Sequence, residues 1–132
     1  MRPRRVYETV LYADDVQGAT RFYVGVLGLR LVEGPGELAA AFRLDDGGVL
    51  LIFDPELAAA AGRPVPSHGT TGPGHIAFSV GEGDLDVAVD ELRDRGVEIE
   101  REIEWPQGGR STYVRDPAGN SVELVEGDLW PP

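Results

Sequence analysis

The chain has 132 residues, of which 42% are hydrophobic and 27% charged, a composition typical of one globular domain or of two small modules that share a core. It contains no cysteine, and all twelve basic residues are arginine, so thiol nucleophiles, disulfides, thiolate metal sites and Schiff-base lysines are excluded. The net charge of −11 disfavours nucleic acid as a partner and favours a cationic small ligand, although the same charge could serve solubility alone.

The apolar segments of the chain are too short to span a bilayer, so no membrane partner is predicted. No apolar region follows residues 1–5, so a signal peptide is not predicted and we expect a cytoplasmic protein. The sequence also lacks the Gly-x-Ser-x-Gly elbow, the phosphate loop and the dinucleotide-binding glycine motif.

The first half of the chain predicts elements in the order β-α-β-β-β. An alternating strand leads to Asp14 and Asp15, which offer an N-cap to a helix that ends at Gly28. The strands are expected at residues 6–13, 29–33, 38–44 and 49–53, with a hairpin signal at 45–48. Residues 54–73 have the composition of a linker, with one short helical turn expected over 58–61.

The second half repeats this order, which indicates a two-unit internal repeat. Asp84 is predicted to cap a helix that ends at Gly96, and a tail follows from residue 127. The strands are expected at residues 75–80, 97–104, 110–115 and 121–126. We therefore predict an α+β fold of two βαβββ modules, at about 6–53 and 74–126. Two such sheets facing each other would enclose a cleft lined by their helix-free faces, where function is expected.

Strand alternation singles out Glu8, His75 and Glu123 on the helix-free faces of their strands. A carboxylate in such a position is costly unless it is paired or binds a cation. Two carboxylates and one imidazole can ligate a divalent metal and leave positions for water or substrate. The alternatives are that Glu8 is a solvated residue at a strand end and that His75 is a hydrogen-bonded core histidine.

Four other residues are candidates for contacts with a substrate. His68, on the linker, could act as an acid–base group or an extra ligand, or could simply be exposed. Arg110 and Arg115 could pair with an anionic substrate group or with one of the many local carboxylates. Trp105 could wall a pocket or serve ordinary packing, as could Trp130 in the tail.

Four stretches of the chain together resemble a known family. They are residues 8–15, the Phe-Tyr-x-x-Val-Leu-Gly ending within residues 21–29, the Gly-His-Ile-Ala-Phe opening at 74–78, and Asp-Pro-x-Gly-Asn-x-x-Glu-Leu at 116–124. The combination is similar to the vicinal oxygen chelate superfamily, which includes glyoxalase I, bleomycin-resistance proteins and extradiol dioxygenases. The resemblance covers nearly the whole chain.

The resemblance implies metal ligands at four strand positions, two in each module. Glu8 stands at the first position, where the family often has histidine, His75 at the third and Glu123 at the fourth. The second position falls on Leu51 or Ile52, and neither side chain can bind metal. The three remaining ligands would suit Mn, Fe, Co, Ni or Zn.

Two functions are consistent with these residues. The first is a metal-dependent enzyme whose metal chelates vicinal oxygens of a small substrate, with Glu8 or Glu123 as general base in an isomerase, lyase, epimerase or ring-cleaving reaction. The alternative is a binding protein that sequesters a cationic small molecule in an acidic cleft, as bleomycin-resistance proteins do. The resemblance also implies a homodimer.

Overall fold

The computed structural model describes residues 1–132, which divide into two compact units, Met1–Gly72 and Pro73–Pro132. Each unit holds a four-stranded mixed sheet and a helix that follows its first strand. The predicted α+β fold of two βαβββ modules is therefore confirmed. None of the helices has the length and apolar character that crossing a membrane would require.

Unit 1, Met1–Gly72, contains six elements. They are β1 (Glu8–Tyr12), α1 (Val16–Gly25), β2 (Arg30–Glu33), β3 (Ala39–Arg43), β4 (Val49–Phe53) and α2 (Pro55–Ala59). The strand order is β1-β4-β3-β2, with β1 parallel to β4 and the other pairs antiparallel. Of the two predicted caps of α1, Asp15 is the one used, because its side chain accepts the Gly18 N–H at 2.9 Å.

The core of unit 1 lies between α1 and one face of its sheet. Tyr23 of α1 contacts the ring of Phe42 on β3, with the two centroids 5.8 Å apart. Leu50 and Ile52 of β4 are fully buried on the same face as Phe42. Alternation therefore places Leu51 on the opposite face, together with Glu8, because Val10 pairs with Leu51 and Glu8 with Val49.

Unit 2, Pro73–Pro132, repeats this connectivity. Its elements are β5 (His75–Val80), α3 (Asp84–Asp94), β6 (Arg101–Glu104), β7 (Arg110–Arg115) and β8 (Ser121–Glu126). The strand order is β5-β8-β7-β6, and the edge strand β5 is parallel to its neighbour β8. Helix α3 packs on β7 and β8, where Val114, Val122 and Leu124 are buried.

The N-terminus of α3 differs from the prediction that Asp84 is its cap. Gly83 occupies the cap position, with φ of +82°, and Asp84 is the first helical residue. The carboxylate of Glu126, from the end of β8, accepts the N–H of Gly83 at 2.7 Å and that of Leu85 at 3.3 Å. A residue 43 positions away along the chain thus supplies the hydrogen bonds that a local side chain was expected to make.

Several element boundaries also differ from the predictions, and the differences at β6 and α2 have identifiable physical reasons. The strand expected to start at residue 97 begins at Arg101, because Arg101 is the first residue that pairs in register with β7, opposite Tyr113. The helical turn expected over 58–61 lies instead over Pro55–Ala59. Asp54 caps it by accepting the Leu57 N–H at 2.9 Å, and Pro55 fits the first turn, where its missing N–H costs no hydrogen bond.

Candidate metal centre

Glu123 lies at the middle of the helix-free face of the unit 2 sheet. Its neighbours on β8, Val122 and Leu124, face α3, so Glu123 points the other way, as strand alternation predicted. It lies opposite Ala77 on β5 and Tyr113 on β7. Although it is charged, only 6% of Glu123 is exposed, and a buried carboxylate requires compensating partners.

A directed chain of hydrogen bonds reaches one oxygen of this carboxylate. The Trp105 indole N–H donates to Ser111 Oγ at 2.8 Å, and the Ser111 hydroxyl donates to Glu123 Oε1 at 2.5 Å. Because an indole nitrogen can only donate, the serine hydrogen is committed to Glu123. Oε1 is thereby occupied by the protein, which leaves Oε2 for another partner.

Tyr113 borders the same carboxylate from β7. Burial raises the pKa of Tyr113, and its hydrogen bond with Glu123 raises that pKa further. The phenol therefore stays protonated at neutral pH, since its ordinary pKa of about 10 is already well above 7. Its ring also stacks on that of His75, with the planes inclined by 24° and the centroids 6.4 Å apart.

His75 turns its Nε2 toward Oε2, the second oxygen of Glu123. Nε2 lies 3.3 Å from Glu123 Oε2, and Nδ1 lies 3.2 Å from the backbone carbonyl oxygen of Ser121. A carbonyl can only accept a hydrogen bond, so the contact requires a hydrogen on Nδ1 and leaves the neutral imidazole with a lone pair on Nε2. That lone pair and the carboxylate oxygen repel each other unless a proton or a metal ion lies between them.

The spacing of these two atoms suits a shared metal ion. Ligand atoms about 2.1 Å from one metal, at angles of about 90–109°, lie about 3.0–3.4 Å apart. The observed 3.3 Å between Nε2 and Oε2 falls within that interval. The carbonyl held by Nδ1 and the hydroxyl held by Oε1 are the outer contacts that orient metal-binding histidines and carboxylates. His75 and Glu123 therefore fit a divalent metal.

The sheet registers show which residues of unit 1 correspond to this pair. Glu8 pairs with Val49 in unit 1 as His75 pairs with Ser121 in unit 2. Two residues further along these strands, Leu51 occupies the position that corresponds to Glu123. The position left open between Leu51 and Ile52 is thus Leu51, because Ile52 is fully buried on the α1 face. Unit 1 has a carboxylate at the first position of its pair and an aliphatic side chain at the second.

The structure brings together two of the three predicted metal ligands. Glu8 is an exposed residue of unit 1, and its participation stays a prediction. No group of three or more histidine, aspartate, glutamate or cysteine side chains is gathered in the structure in a way that could hold a metal ion. The site described by contacts is thus the pair His75 and Glu123 with its hydrogen-bonded supports.

His68 is docked on the unit 1 sheet. Its Nδ1 lies 2.6 Å from the Tyr12 hydroxyl, and its ring meets Phe53 edge-on with centroids 4.8 Å apart. Its backbone N–H also donates to the Ala58 carbonyl at 3.1 Å. These contacts fix the imidazole on the sheet face that carries Glu8, since Tyr12 and Glu8 alternate with the buried Leu11.

Both candidate arginines are engaged by carboxylates of the protein. Arg110 points to the α3 side of the sheet, where it pairs with Asp86 at 2.9 Å and Glu126 at 2.8 Å. Arg115 contacts both carboxylate oxygens of Glu100, at 2.8 and 3.1 Å. Neither contact brings a guanidinium to the His75–Glu123 pair.

The two tryptophans have different surroundings. Trp105 is half-buried and belongs to the hydrogen-bond chain on Glu123, whereas Trp130 is 82% exposed. Sequence reasoning missed Ser111 and Tyr113, although alternation along β7 places both on the face of Glu123. The alternation of side chains along β7 could therefore have identified both residues from the sequence.

A family model described as Glyoxalase/Bleomycin resistance protein/Dioxygenase superfamily matches residues 5–124 of the chain. Biphenyl-2,3-diol 1,2-dioxygenase 3 of Rhodococcus globerulus is 31% identical over 123 residues, a match that covers 91% of this chain and 62% of the dioxygenase. The chain thus spans less than two thirds of that relative. Lactoylglutathione lyase of Escherichia coli O157:H7 is 29% identical over 130 residues, covering 92% of each protein.

A solved structure extends the comparison. The crystal structure of lactoylglutathione lyase from Agrobacterium tumefaciens has 37% sequence identity to this chain and a TM-score of 0.93. The superposition covers 100% of both chains. The agreement in fold therefore includes every element of both units.

Proposed function

Because the chain belongs to the Glyoxalase/Bleomycin resistance protein/Dioxygenase superfamily, we propose that it is a divalent-metal-dependent enzyme acting on a small substrate with vicinal oxygens. His75 Nε2 and Glu123 Oε2 would hold the metal, and Glu8 is the predicted third ligand. The observation that carries the proposal is the 3.3 Å distance between His75 Nε2 and an oxygen of the buried Glu123 carboxylate. When bound, the metal supplies Lewis-acid polarisation of substrate oxygens.

The reaction we propose is a proton transfer next to a carbonyl, as in isomerases and lyases. The full-length match to lactoylglutathione lyases supports this class over ring cleavage, since the chain spans only 62% of the dioxygenase. A carboxylate, that of Glu8 or of Glu123, accepts the proton as general base. Ser111 keeps Oε1 of Glu123 out of this role by donating its hydrogen to it.

Two further groups contribute to the proposed site. The phenol of Tyr113, held protonated, lies beside Glu123, and its hydrogen bond with Glu123 helps to fix that carboxylate. His68, fixed by Tyr12, is the second imidazole available for acid–base chemistry. Arg110 and Arg115 would have to leave their carboxylate partners before contacting a substrate, so we give them no role in catalysis.

Metal binding by the tag-free protein tests this proposal. We expect wild-type protein, loaded with Mn, Co, Ni or Zn and desalted, to retain about one equivalent per chain by mass spectrometry. Glu123→Gln keeps the shape of the side chain but removes the charge, so it should lose the metal. Glu98→Gln, an exposed position outside the site, is the matched control and should retain it. Wild-type protein without stoichiometric metal would refute the proposal.

A second candidate is a binding protein that sequesters a cationic small molecule. The net charge of −11 and the aliphatic Leu51 at the second ligand position favour it. Under this alternative a cationic ligand would bind equally well to metal-free and metal-loaded protein, and the Glu123→Gln variant would still fold and bind it. Under either function we propose a homodimer, and a monomer by light scattering at micromolar concentration would contradict that assembly.

A further inference from the structure

A cavity in unit 2 is lined by residues of α3, β6 and β7, which include Ser111 but not Glu123. The cavity, of about 260 Å³, lies between α3 and the β6 edge of the sheet. Leu85 and Val89 of α3 form an apolar wall, and both are buried. Thr112 lines the cavity from β7, and its side chain alternates with those of Ser111 and Tyr113, which face Glu123.

The charge around this cavity is negative. Asp86, Glu102 and Glu104 line it, and Arg110 is the only basic residue that does. Arg110 is already matched by Asp86 at 2.9 Å and by Glu126 at 2.8 Å. Glu102 has only a 3.5 Å contact with Arg93, in which both side chains are 55% exposed, so water screens that pair strongly. The lining therefore carries carboxylate charge that the protein does not neutralise.

Thr112 provides an independent indication of a ligand. It is 1% exposed, and its hydroxyl takes part in none of the side-chain hydrogen bonds of the structure. Every side-chain nitrogen or oxygen that is completely buried has a hydrogen-bond partner. Since the Thr112 hydroxyl has none, its oxygen is the atom that accounts for the small exposed area of this residue. Thr112 lines the cavity on the same sheet face as Glu102, its cross-strand partner.

We propose that this cavity binds a small organic cation, an ammonium or guanidinium group carried on a short apolar chain. The cation contacts the Glu102 and Glu104 carboxylates and the Thr112 hydroxyl oxygen, which accepts one of its hydrogens. The apolar chain lies on Leu85 and Val89. A cavity of 260 Å³ is below the ~300–1,000 Å³ of sites for drug-sized ligands, so the ligand is a fragment-sized amine.

The cavity shares Ser111 with the proposed metal centre, but its ligand is an organic cation, so the proposal goes beyond the proposed function. Titration with n-hexylammonium, followed by the backbone amide resonances of isotope-labelled protein, tests it. We expect saturable shifts at Thr112, Glu104 and Val89, and no saturable shifts with n-hexanol, which has the same chain without the charge. Glu123→Gln should leave the dissociation constant unchanged, because Glu123 lies on the other face of the sheet.

Matched variants localise the ligand. Glu104→Gln should raise the dissociation constant about two- to five-fold, as for a partly exposed ion pair. Thr112→Val, nearly equal in volume, should raise it about two- to ten-fold by removing one hydrogen bond. Asp94→Asn changes the net charge equally at an exposed position outside the cavity and should have no effect. Non-saturable shifts, or equal effects of Glu104→Gln and Asp94→Asn, would overturn the proposal.

Discussion

Ser111 is expected to position Glu123 for metal binding, and Ser111→Ala isolates that role. The substitution removes the 2.5 Å hydrogen bond to Glu123 Oε1 and leaves the Trp105 indole N–H without its acceptor. Ser111 is 1% exposed, so water replaces these contacts poorly. Loss of a hydrogen bond to a charged group costs about 1.5–3 kcal/mol, so the free energy of unfolding should fall by about that amount.

The metal affinity of the same variant should fall about 10–100-fold, because outer contacts of this kind fix the orientation of the ligating oxygen. At 25 °C that change corresponds to about 1.4–2.7 kcal/mol. Isothermal titration with Ni²⁺ measures the affinity, and urea denaturation of the metal-free protein measures the stability. Ser79→Ala, which removes an exposed hydroxyl from β5, is the control. A variant that loses stability but keeps its metal affinity would refute the positioning role of Ser111.

Three further predictions concern contacts outside the metal pair. Glu126→Gln should weaken the attachment of α3. Arg110 chiefly, and then the Leu85 N–H, lower the pKa of Glu126. The stabilisation from Glu126 is therefore present above its ordinary pKa and is lost as pH falls through the lower pKa of the folded state. The difference in urea midpoint between wild type and Glu126→Gln should therefore be large at pH 7 and shrink well below pH 4.5; a difference independent of pH would contradict this. His68→Ala should destabilise unit 1 by about 1–2 kcal/mol through loss of the Tyr12 hydrogen bond and the Phe53 contact. Hydrogen exchange of the residue 68 amide should accelerate. Unchanged exchange would show that the imidazole does not hold the segment. Arg115→Ala should cost only about 0.2–1 kcal/mol and leave metal affinity unchanged, because its pair with Glu100 is exposed; a loss of metal binding would place Arg115 at the site after all.

Local sequence patterns predicted most of the fold, because hydrophobic periodicity and turn residues mark most of the strands and helices. The strands at residues 49–53, 75–80, 110–115 and 121–126 have the predicted bounds, since alternation and flanking turns define them. The start of β6 depends instead on where β7 offers partners, which is a long-range property. The cap of α3 comes from Glu126, which no local motif around Asp84 could reveal.

The proximity of His75 and Glu123 was predictable for a similar reason, and the hydrogen bonds that support the pair were not. Parity on β5 and β8 places His75 and Glu123 on one face, and the structure brings their side chains to 3.3 Å. The assignment of Leu51 over Ile52 required the pairing register, because a shift of one residue exchanges the two faces of a strand. The hydrogen bond from Trp105 to Ser111 spans a turn, and the sequence pattern does not determine the geometry of that turn.

The protonation of His75 tests the central claim most directly. The chain has only two histidines, so ¹⁵N-histidine labelling gives two sets of ring signals, and His75→Ala identifies one of them. We predict that the neutral form of His75 carries its hydrogen on Nδ1 and that one equivalent of Zn²⁺ shifts its Nε2 signal. A hydrogen on Nε2, or ring signals that Zn²⁺ leaves unchanged, would contradict a metal site at His75 and Glu123.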